Sequence, residues 1–124
     1  GYGLSFSQFE YSDLELSANK INRNQVLKVS AKITNVGDYD GAEIVQLYVR
    51  DLVGRLTRPV KELKGFQKIN LKKGESKLVT FEISAEDLKY FDNNGKFDVE
   101  SGDFAVAIES SSDFEFKHQF KLIN

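Results

Sequence analysis

The basic side chains around the single proline of the chain have the types and spacing of a docking surface. This candidate set consists of Arg55, Arg58, Lys61 and Lys64. Pro59 fixes its own φ and favours an extended Arg58, and an arginine can bind a carboxylate through two parallel hydrogen bonds. Residues 51–57 are predicted to form a long, charged surface loop, the kind of segment through which proteins make contacts. The set is therefore a candidate docking surface, and solvated surface charge is the alternative interpretation.

The only histidine, His118, and one Asp-Asn-rich run are the residues that could suggest a metal or a catalytic centre. A metal site at His118 would need partners, and the chain has neither a second histidine nor a cysteine. No Gly-x-Ser-x-Gly motif presents a nucleophilic serine. Residues 92–95 resemble half of a calcium loop, but that alignment places Tyr90 and Ser101 where ligating carboxylates are required. We predict no metal or cofactor site, a turn at 92–95, and a partly packed His118 near a strand end.

Glycosidic-bond hydrolysis is the chemistry that paired carboxylates could perform. It needs two carboxyl groups about 5–10 Å apart, one of them held in apolar surroundings that raise its pKa. The chain has 19 Asp and Glu residues, so some exposed pair will meet that distance by chance. The sequence gives no sign of a pocket around any such pair, and we therefore assign no catalytic residue.

Tyrosine rings are candidates for stacking on sugar rings in a chain that has no tryptophan. The candidates are Tyr2, Tyr39, Tyr48 and Tyr90. Tyr48 is better explained as covering a sheet surface or lying under a loop, and Tyr90 as a corner tyrosine that bonds the backbone, a recurrent feature of β-sandwiches. An independent carbohydrate-binding or cell-surface adhesion module remains the functional alternative that these rings would support.

Short strands with apolar residues at every second position would position these side chains. The alternation is clearest at Leu27, Val29, Ala31 and Ile33. Predicted strands cover residues 9–17, 27–34, 44–49, 63–71, 77–83, 96–100, 104–108 and 114–122. In the last of them, Phe114, Phe116, His118, Phe120 and Leu122 share one face. This spacing predicts an all-β fold, an antiparallel two-sheet sandwich of the fibronectin type III or immunoglobulin-like kind.

The connections between the strands carry turn signals. Residues 35–41 are predicted to be a turn in which asparagine and glycine adopt positive φ, and residues 19–24 a polar turn. The run 72–74 (Lys-Lys-Gly) ends a strand. Ser84 and the carboxylate three residues later fit a capping box that starts one helical turn.

Size and charge restrict the class of protein. A chain of 124 residues predicts one domain. The net charge of −2 argues against nucleic acid as the main partner, and no apolar run approaches the roughly 18 residues that span a bilayer. Because the chain lacks methionine and starts with Gly-Tyr-Gly, it is either a processed mature protein or a segment of a longer protein, and we favour the segment.

Three segments together resemble a known family. They are residues 41–51 (Gly-Ala-Glu-Ile-Val-Gln-Leu-Tyr-Val-Arg-Asp), 58–66 (Arg-Pro-Val-Lys-Glu-Leu-Lys-Gly-Phe) and 71–76 (Leu-Lys-Lys-Gly-Glu-Ser). This combination resembles the fibronectin type III-like domain that closes many family-three glycoside hydrolases, which are β-glucosidases and β-xylosidases. The resemblance extends from residue 1 to about residue 112. Phe6, Lys73 and Phe97 depart from the residues usual in the family.

The resemblance implies an organisation and a role. Residues 1–124 would form a single fibronectin type III-like domain, with residues 1–8 as the linker from a preceding domain. The domain would be a non-catalytic, C-terminal accessory part of a β-glucosidase-type enzyme whose nucleophile and acid/base lie in other domains. Its partners would be the catalytic domains of the same chain, with carbohydrate near a loop as a further contact. The parent would hydrolyse terminal β-D-glucosyl or β-D-xylosyl residues in the periplasm or outside the cell.

Overall fold

The computed structural model describes residues 8–52, 61–88 and 101–123, together with the backbone of residues 90–91 and 97–98. Its elements in chain order are β1 (Phe9–Leu16), β2 (Lys20–Ile21), β3 (Val26–Asn35), β4 (Gly41–Asp51), β5 (Glu62–Leu71), β6 (Ser76–Ser84), a 3₁₀ helix (Ala85–Leu88), β7 (Tyr90–Phe91), β8 (Phe97–Asp98), β9 (Gly102–Glu109) and β10 (His118–Leu122). The predicted turn at 92–95 and the side chain of Tyr90 lie outside the described residues, as do Tyr2, Arg55 and Arg58.

The strands form two main sheets that face each other. One sheet has the order β1-β3-β6, the other has the order β2-β10-β9-β4-β5, and β7 pairs with β8. Neighbouring strands are antiparallel except β10 and the two-residue β2, which run parallel. The prediction of an all-β, antiparallel two-sheet sandwich is confirmed. β2 was not predicted, because it lies inside the predicted polar turn at 19–24.

A single apolar core fills the space between the two sheets. Along β3, β4, β6, β9 and β10 the inward-facing residues alternate as predicted, and all of these are buried: Leu27, Val29, Ala31, Ile33, Val45, Leu47, Val49, Val79, Phe81, Ile83, Phe104, Val106, Ile108, Phe120 and Leu122. Burial of each large aliphatic or aromatic side chain contributes about 1.5–3 kcal/mol. The core therefore supplies most of the stability that holds the outer faces in position.

A β-bulge in β1 lets both halves of that strand contact the core. The pairing of β1 with β3 shifts register between Ser12 and Glu15, and Asp13 has a φ of 54°. Phe9 and Tyr11 precede the bulge at odd positions, whereas Leu14 and Leu16 follow it at even positions, and all four pack against the core. The extra residue shifts the alternation by one position, which unbroken period-two alternation cannot do.

Tyr11 links the two sheets through a polar contact. Its hydroxyl donates to a carboxylate oxygen of Glu43 at 2.8 Å, which joins β1 of one sheet to β4 of the other. Burial raises the pKa of Tyr11 well above its usual value, and the hydrogen bond to Glu43 raises it further. The folded state therefore favours the protonated phenol.

Replacing Tyr11 with phenylalanine is expected to cost about 1–2 kcal/mol at pH 7, because Glu43 loses its donor in a half-buried site. The raised pKa adds a pH dependence. The stabilisation by Tyr11 is complete below about pH 10, the pKa of an unfolded tyrosine, and is lost as the pH rises further. Urea unfolding at pH 7 and pH 10.5 measures this: the gap between wild type and Tyr11→Phe should narrow at the higher pH. A gap that stays constant contradicts the proposed linkage.

Asn35, the last residue of β3, is fully buried and joins two turns at one end of the sandwich. Its amide nitrogen donates to the carbonyls of Tyr39 at 2.8 Å and Leu71 at 3.1 Å, and its side-chain oxygen accepts from the N–H of Gly37 at 2.9 Å. Its backbone N–H donates to the carbonyl of Glu75. The side chain thereby ties the end of β3 to the 36–40 turn and to β5.

The predicted positive φ at asparagine and glycine in residues 35–41 is wrong. Among the described residues, positive φ occurs at Asp13, Gly74 and Gly102. Asn35 serves the turn through its buried hydrogen bonds instead of through a left-handed backbone. Gly74, with a φ of 82°, occupies the predicted turn at 72–74, and its N–H donates to the carbonyl of Asn35 at 2.9 Å.

The carboxylate half of the predicted capping box is confirmed before the 3₁₀ helix. Asp87 accepts from the backbone N–H of Ser84 at 2.8 Å. The Ser84 hydroxyl donates to the same carboxylate at 3.2 Å, so it does not serve as the acceptor that a full capping box requires.

The edge strands β5 and β6 of the two sheets approach each other along one side of the sandwich. The side-chain amide of Gln67 donates to the carbonyl of Thr80 at 2.8 Å. The Phe81 ring lies against Gly65, where an added Cβ would be 3.5 Å from the ring. This seam connects the two sheets at a margin where neither strand has a further neighbour in the sheet order.

The last strand is shorter than predicted. It begins at His118 and not at residue 114, and Phe114 and Phe116 are half-buried outside the core. His118 is the first residue of β10, as expected for a strand end, but it is exposed and not partly packed. The two phenylalanines cover a different surface, which is part of the candidate functional site.

Candidate functional site

The two described members of the predicted docking set, Lys61 and Lys64, lie at the start of β5. The Lys61 ammonium donates to the carbonyl of Ser112 at 2.9 Å and to that of Phe114, and it lies 4.2 Å from the centre of the Phe114 ring. The Lys64 ammonium lies 3.7 Å from a carboxylate oxygen of Glu62. In the described residues both lysines therefore have partners within the chain, and Lys61 fixes the segment that follows β9.

That segment, residues 110–117, covers part of the outer face of the five-stranded sheet. Tyr48 points outward from β4 but is buried, with its ring centre 5.2 Å from that of Phe114. Phe114 in turn contacts Phe116 edge to face at 4.9 Å. The prediction that Tyr48 lies under a loop is confirmed.

Small and polar residues of the sheet allow this cover to sit close. Ala107 lies opposite Tyr48 on β9 and is buried although it faces away from the core. The side-chain amide of Gln46 donates to the carbonyl of Ser110 at 3.1 Å, and Gln46 also accepts from the Tyr48 hydroxyl. Gln46 thus anchors the first residue of the cover, and Lys61 anchors its middle at Ser112 and Phe114.

Beyond the cover, the same outer face carries three exposed apolar side chains, which we name the outer apolar strip. They are Ile44, Leu63 and Phe66, with exposed fractions of 40%, 52% and 64%. Phe66 lies opposite Gln46 and Leu63 opposite Tyr48, while Ile44 is two residues before Gln46 on the same face of β4. Directly opposite and diagonal positions on a sheet are within side-chain reach, so the three form one continuous strip.

A bulge in β5 brings Leu63 into this strip. Gly65 pairs with Leu47 and Leu63 pairs with Tyr48, which leaves Lys64 as an extra residue. Without the bulge, Leu63 and Phe66 would point to opposite faces, because they are three residues apart. For this reason the alternation of residues in β5 does not predict the strip. One sequence signal indicates part of it: Phe66 is an odd number of residues from the buried Ile69 and so faces away from the core.

Charged groups border the covered part of the face. Burial raises the pKa of Glu109, while the charges of Lys117 and Lys61 oppose that shift. The side-chain Nε of Arg50 is buried and has no hydrogen-bond partner in the described structure. The surface therefore combines apolar area, aromatic rings and basic groups, which suits binding to a protein better than bond-breaking chemistry.

A surface depression of about 410 Å³ is lined by two carboxylates, two lysines, a serine and a leucine, all of which are exposed: Asp13, Glu15, Lys32, Lys77, Ser76 and Leu78. Such a site lacks the apolar surroundings that a general acid needs. Within the described ranges, no group of three or more potential ligands is placed to hold a metal ion. The helices described there are too short or too polar to cross a membrane.

Tyr39 is the candidate sugar-stacking ring that remains exposed in the described structure. It lies in the turn between β3 and β4, where its backbone carbonyl accepts from Asn35. Tyr48, the other candidate whose side chain the structure describes, is buried under residues 110–117. These two tyrosines therefore do not form one exposed platform.

Two facing sheets of three and five strands, antiparallel except for the short β2, enclose one core and define a sandwich of the fibronectin type III class. The sequence model named "Fibronectin type III-like domain" matches residues 43–112. The chain belongs to this fibronectin type III-like domain family.

Known relatives carry such a domain within much longer chains. The chain is 43% identical over 124 residues to thermostable β-glucosidase B of Acetivibrio thermocellus and 42% identical over 123 residues to the periplasmic β-glucosidase of Salmonella typhimurium. The alignments cover 98% and 99% of this chain but 16% of each relative. A crystal structure of β-glucosidase from Listeria innocua in complex with gluconolactone superposes with a TM-score of 0.84 at 34% identity, over 98% of this chain and 17% of that one. The chain therefore spans about a sixth of the relatives it matches.

Proposed function

We propose that this chain is the non-catalytic, C-terminal accessory domain of a family-three-like β-glucosidase. The observation that carries the proposal is the asymmetry of the alignments: the relatives match nearly all of this chain, and this chain matches a sixth of them. The exposed, charged lining of the depression beside Asp13 and Glu15 supports a catalytic centre located elsewhere in the parent. Residues 1–124 would be one domain, with residues 1–8 linking it to a preceding one.

The parent enzyme would hydrolyse terminal β-D-glucosyl or β-D-xylosyl residues, and the domain would brace its catalytic domains. The first of these proposals is supported by the β-glucosidase names of the relatives. A periplasmic or secreted location for the parent is supported by the periplasmic relative. Arg55, Arg58, Lys61 and Lys64 stay proposed as docking residues, with Arg58 binding a carboxylate of the neighbouring domain.

The 124-residue chain alone is expected to have no glycosidase activity. Purified chain, shown to be folded by circular dichroism, is incubated with an aryl β-glucoside and an aryl β-xyloside, and release of the chromophore is measured. The full-length parent serves as the positive control and a mock purification as the blank. Turnover by the chain above the blank contradicts the proposal.

A further inference from the structure

We infer that the outer apolar strip, formed by Ile44, Leu63 and Phe66, is the surface on which the catalytic part of the parent chain docks. This inference rests on the proposed function and names the face of the sandwich through which it acts. Residues 110–117 cover part of the outer face of the five-stranded sheet but leave these three side chains exposed. The chain thus shields one part of this face itself and leaves an apolar part open.

The other sheet provides the contrast within the same domain. Its outer face carries Lys28, Lys32 and Glu82, all exposed, and its exposed leucine, Leu78, lies opposite Lys32. Single exposed apolar residues are ordinary on a protein surface, whereas contiguous apolar patches mark interaction sites. The strip is a contiguous patch, because Phe66 lies opposite Gln46 and Leu63 lies opposite Tyr48, in adjacent positions of the sheet.

The comparisons favour a tethered protein partner as the occupant of the strip. In relatives that match almost all of this chain, about five-sixths of the polypeptide lies outside the match. A partner on the same polypeptide meets the strip at a high effective concentration, of order millimolar for short linkers, so a small apolar contact suffices to hold it.

The composition of the strip agrees with that occupant. A sugar-binding platform would stack several aromatic rings on the ligand, whereas the strip has one ring, Phe66, between two aliphatic side chains. A dimer of this chain through the strip would place two like charges in one interface, because Lys68 is exposed beside Ile44 in each copy. The fitting surface on the partner is apolar with a carboxylate at its border, opposite Lys68.

Exchanging Phe66 for glutamine in the full-length parent tests the inference. Leu78→Gln is the matched control, because Leu78 is 63% exposed in a strand of the other sheet and Phe66 is 64% exposed. We expect Phe66→Gln to shorten the half-life of heat inactivation at least fivefold and to speed protease release of the domain. Leu78→Gln should stay within twofold of the parent. Leu63→Gln, at the neighbouring strip position, should reproduce the effect of Phe66→Gln.

Measurements on the 124-residue chain separate docking from folding. Phe66→Gln should unfold at the same urea concentration as the unaltered chain, so that its effect in the parent arises from the interface. Equal inactivation of the Phe66→Gln and Leu78→Gln parents overturns the inference. So does dimerisation of the isolated chain, or its retention on a polysaccharide, when either property is abolished by Phe66→Gln alone.

Deleting the whole domain from the parent distinguishes failure of the docking surface from failure of the accessory role. Faster inactivation on deletion, with no effect of Phe66→Gln or Leu63→Gln, leaves the accessory role intact and rejects this surface. A parent that keeps its full activity and heat stability after deletion rejects the accessory role itself, and the inference fails with it.

Discussion

Replacing Asn35 with alanine is expected to lower the free energy of unfolding of the 124-residue chain by about 3 kcal/mol. The substitution removes three hydrogen bonds of a fully buried amide, each with a net value of about 1 kcal/mol. It also leaves the carbonyls of Tyr39 and Leu71 without this donor in a site that water reaches poorly. Urea unfolding monitored by far-ultraviolet circular dichroism measures the change.

Asn70→Ala is the matched control for that experiment. Asn70 lies on β5 next to Leu71 but is exposed, so its replacement should change stability by less than about 0.5 kcal/mol. A similar decrease in the free energy of unfolding for the two variants would show that the buried hydrogen bonds of Asn35 do not stabilise the domain.

Phe120→Ala should destabilise the domain more than Phe114→Ala, although the sequence pattern predicts the same strand face for both residues. Phe120 is buried in the core and stacks on Phe104, with ring centres 5.4 Å apart. Its truncation leaves a cavity and is expected to cost about 3–5 kcal/mol. Phe114 is half-buried on the outer face, and Phe114→Ala should cost about 1–2 kcal/mol from lost apolar contact.

The difference between these two variants tests where the last strand begins. Both phenylalanines would face the core if a regular strand ran over residues 114–122. The structure instead places Phe114 over Tyr48 and starts β10 at His118. The free energy of unfolding of both variants is measured by urea titration. An equal decrease for Phe114→Ala and Phe120→Ala would support the longer strand, 114–122.

Local alternation was enough to predict the core of this sandwich, because each strand must bury every second residue. It predicted the inward faces of β3, β4, β6 and β9 and placed most strand ends within two residues. It failed where the backbone departs from strict alternation. The bulges at Asp13 and Lys64 shift the phase of β1 and β5, and each is defined by the partner strand, which the local pattern does not contain.

The candidate site shows the same limit more strongly. The composition of residues 58–66 indicates Lys61 as a candidate, but its partners, Ser112 and Phe114, are more than 50 residues away in sequence. The outer apolar strip requires the register of β4 against β5, and the role of Asn35 requires the positions of two separate turns. These features depend on contacts between distant segments, so residue types and spacing along the chain cannot specify them.

The hydrogen bond from Gln67 to Thr80 occupies an acceptor at an open margin of the sandwich. Unpaired strand margins otherwise offer a template on which strands of neighbouring molecules can add, and repeated addition leads to fibrils. At this position an incoming strand would first have to displace the glutamine amide from the carbonyl. At this position the two sheets therefore shield each other's margin against strand addition.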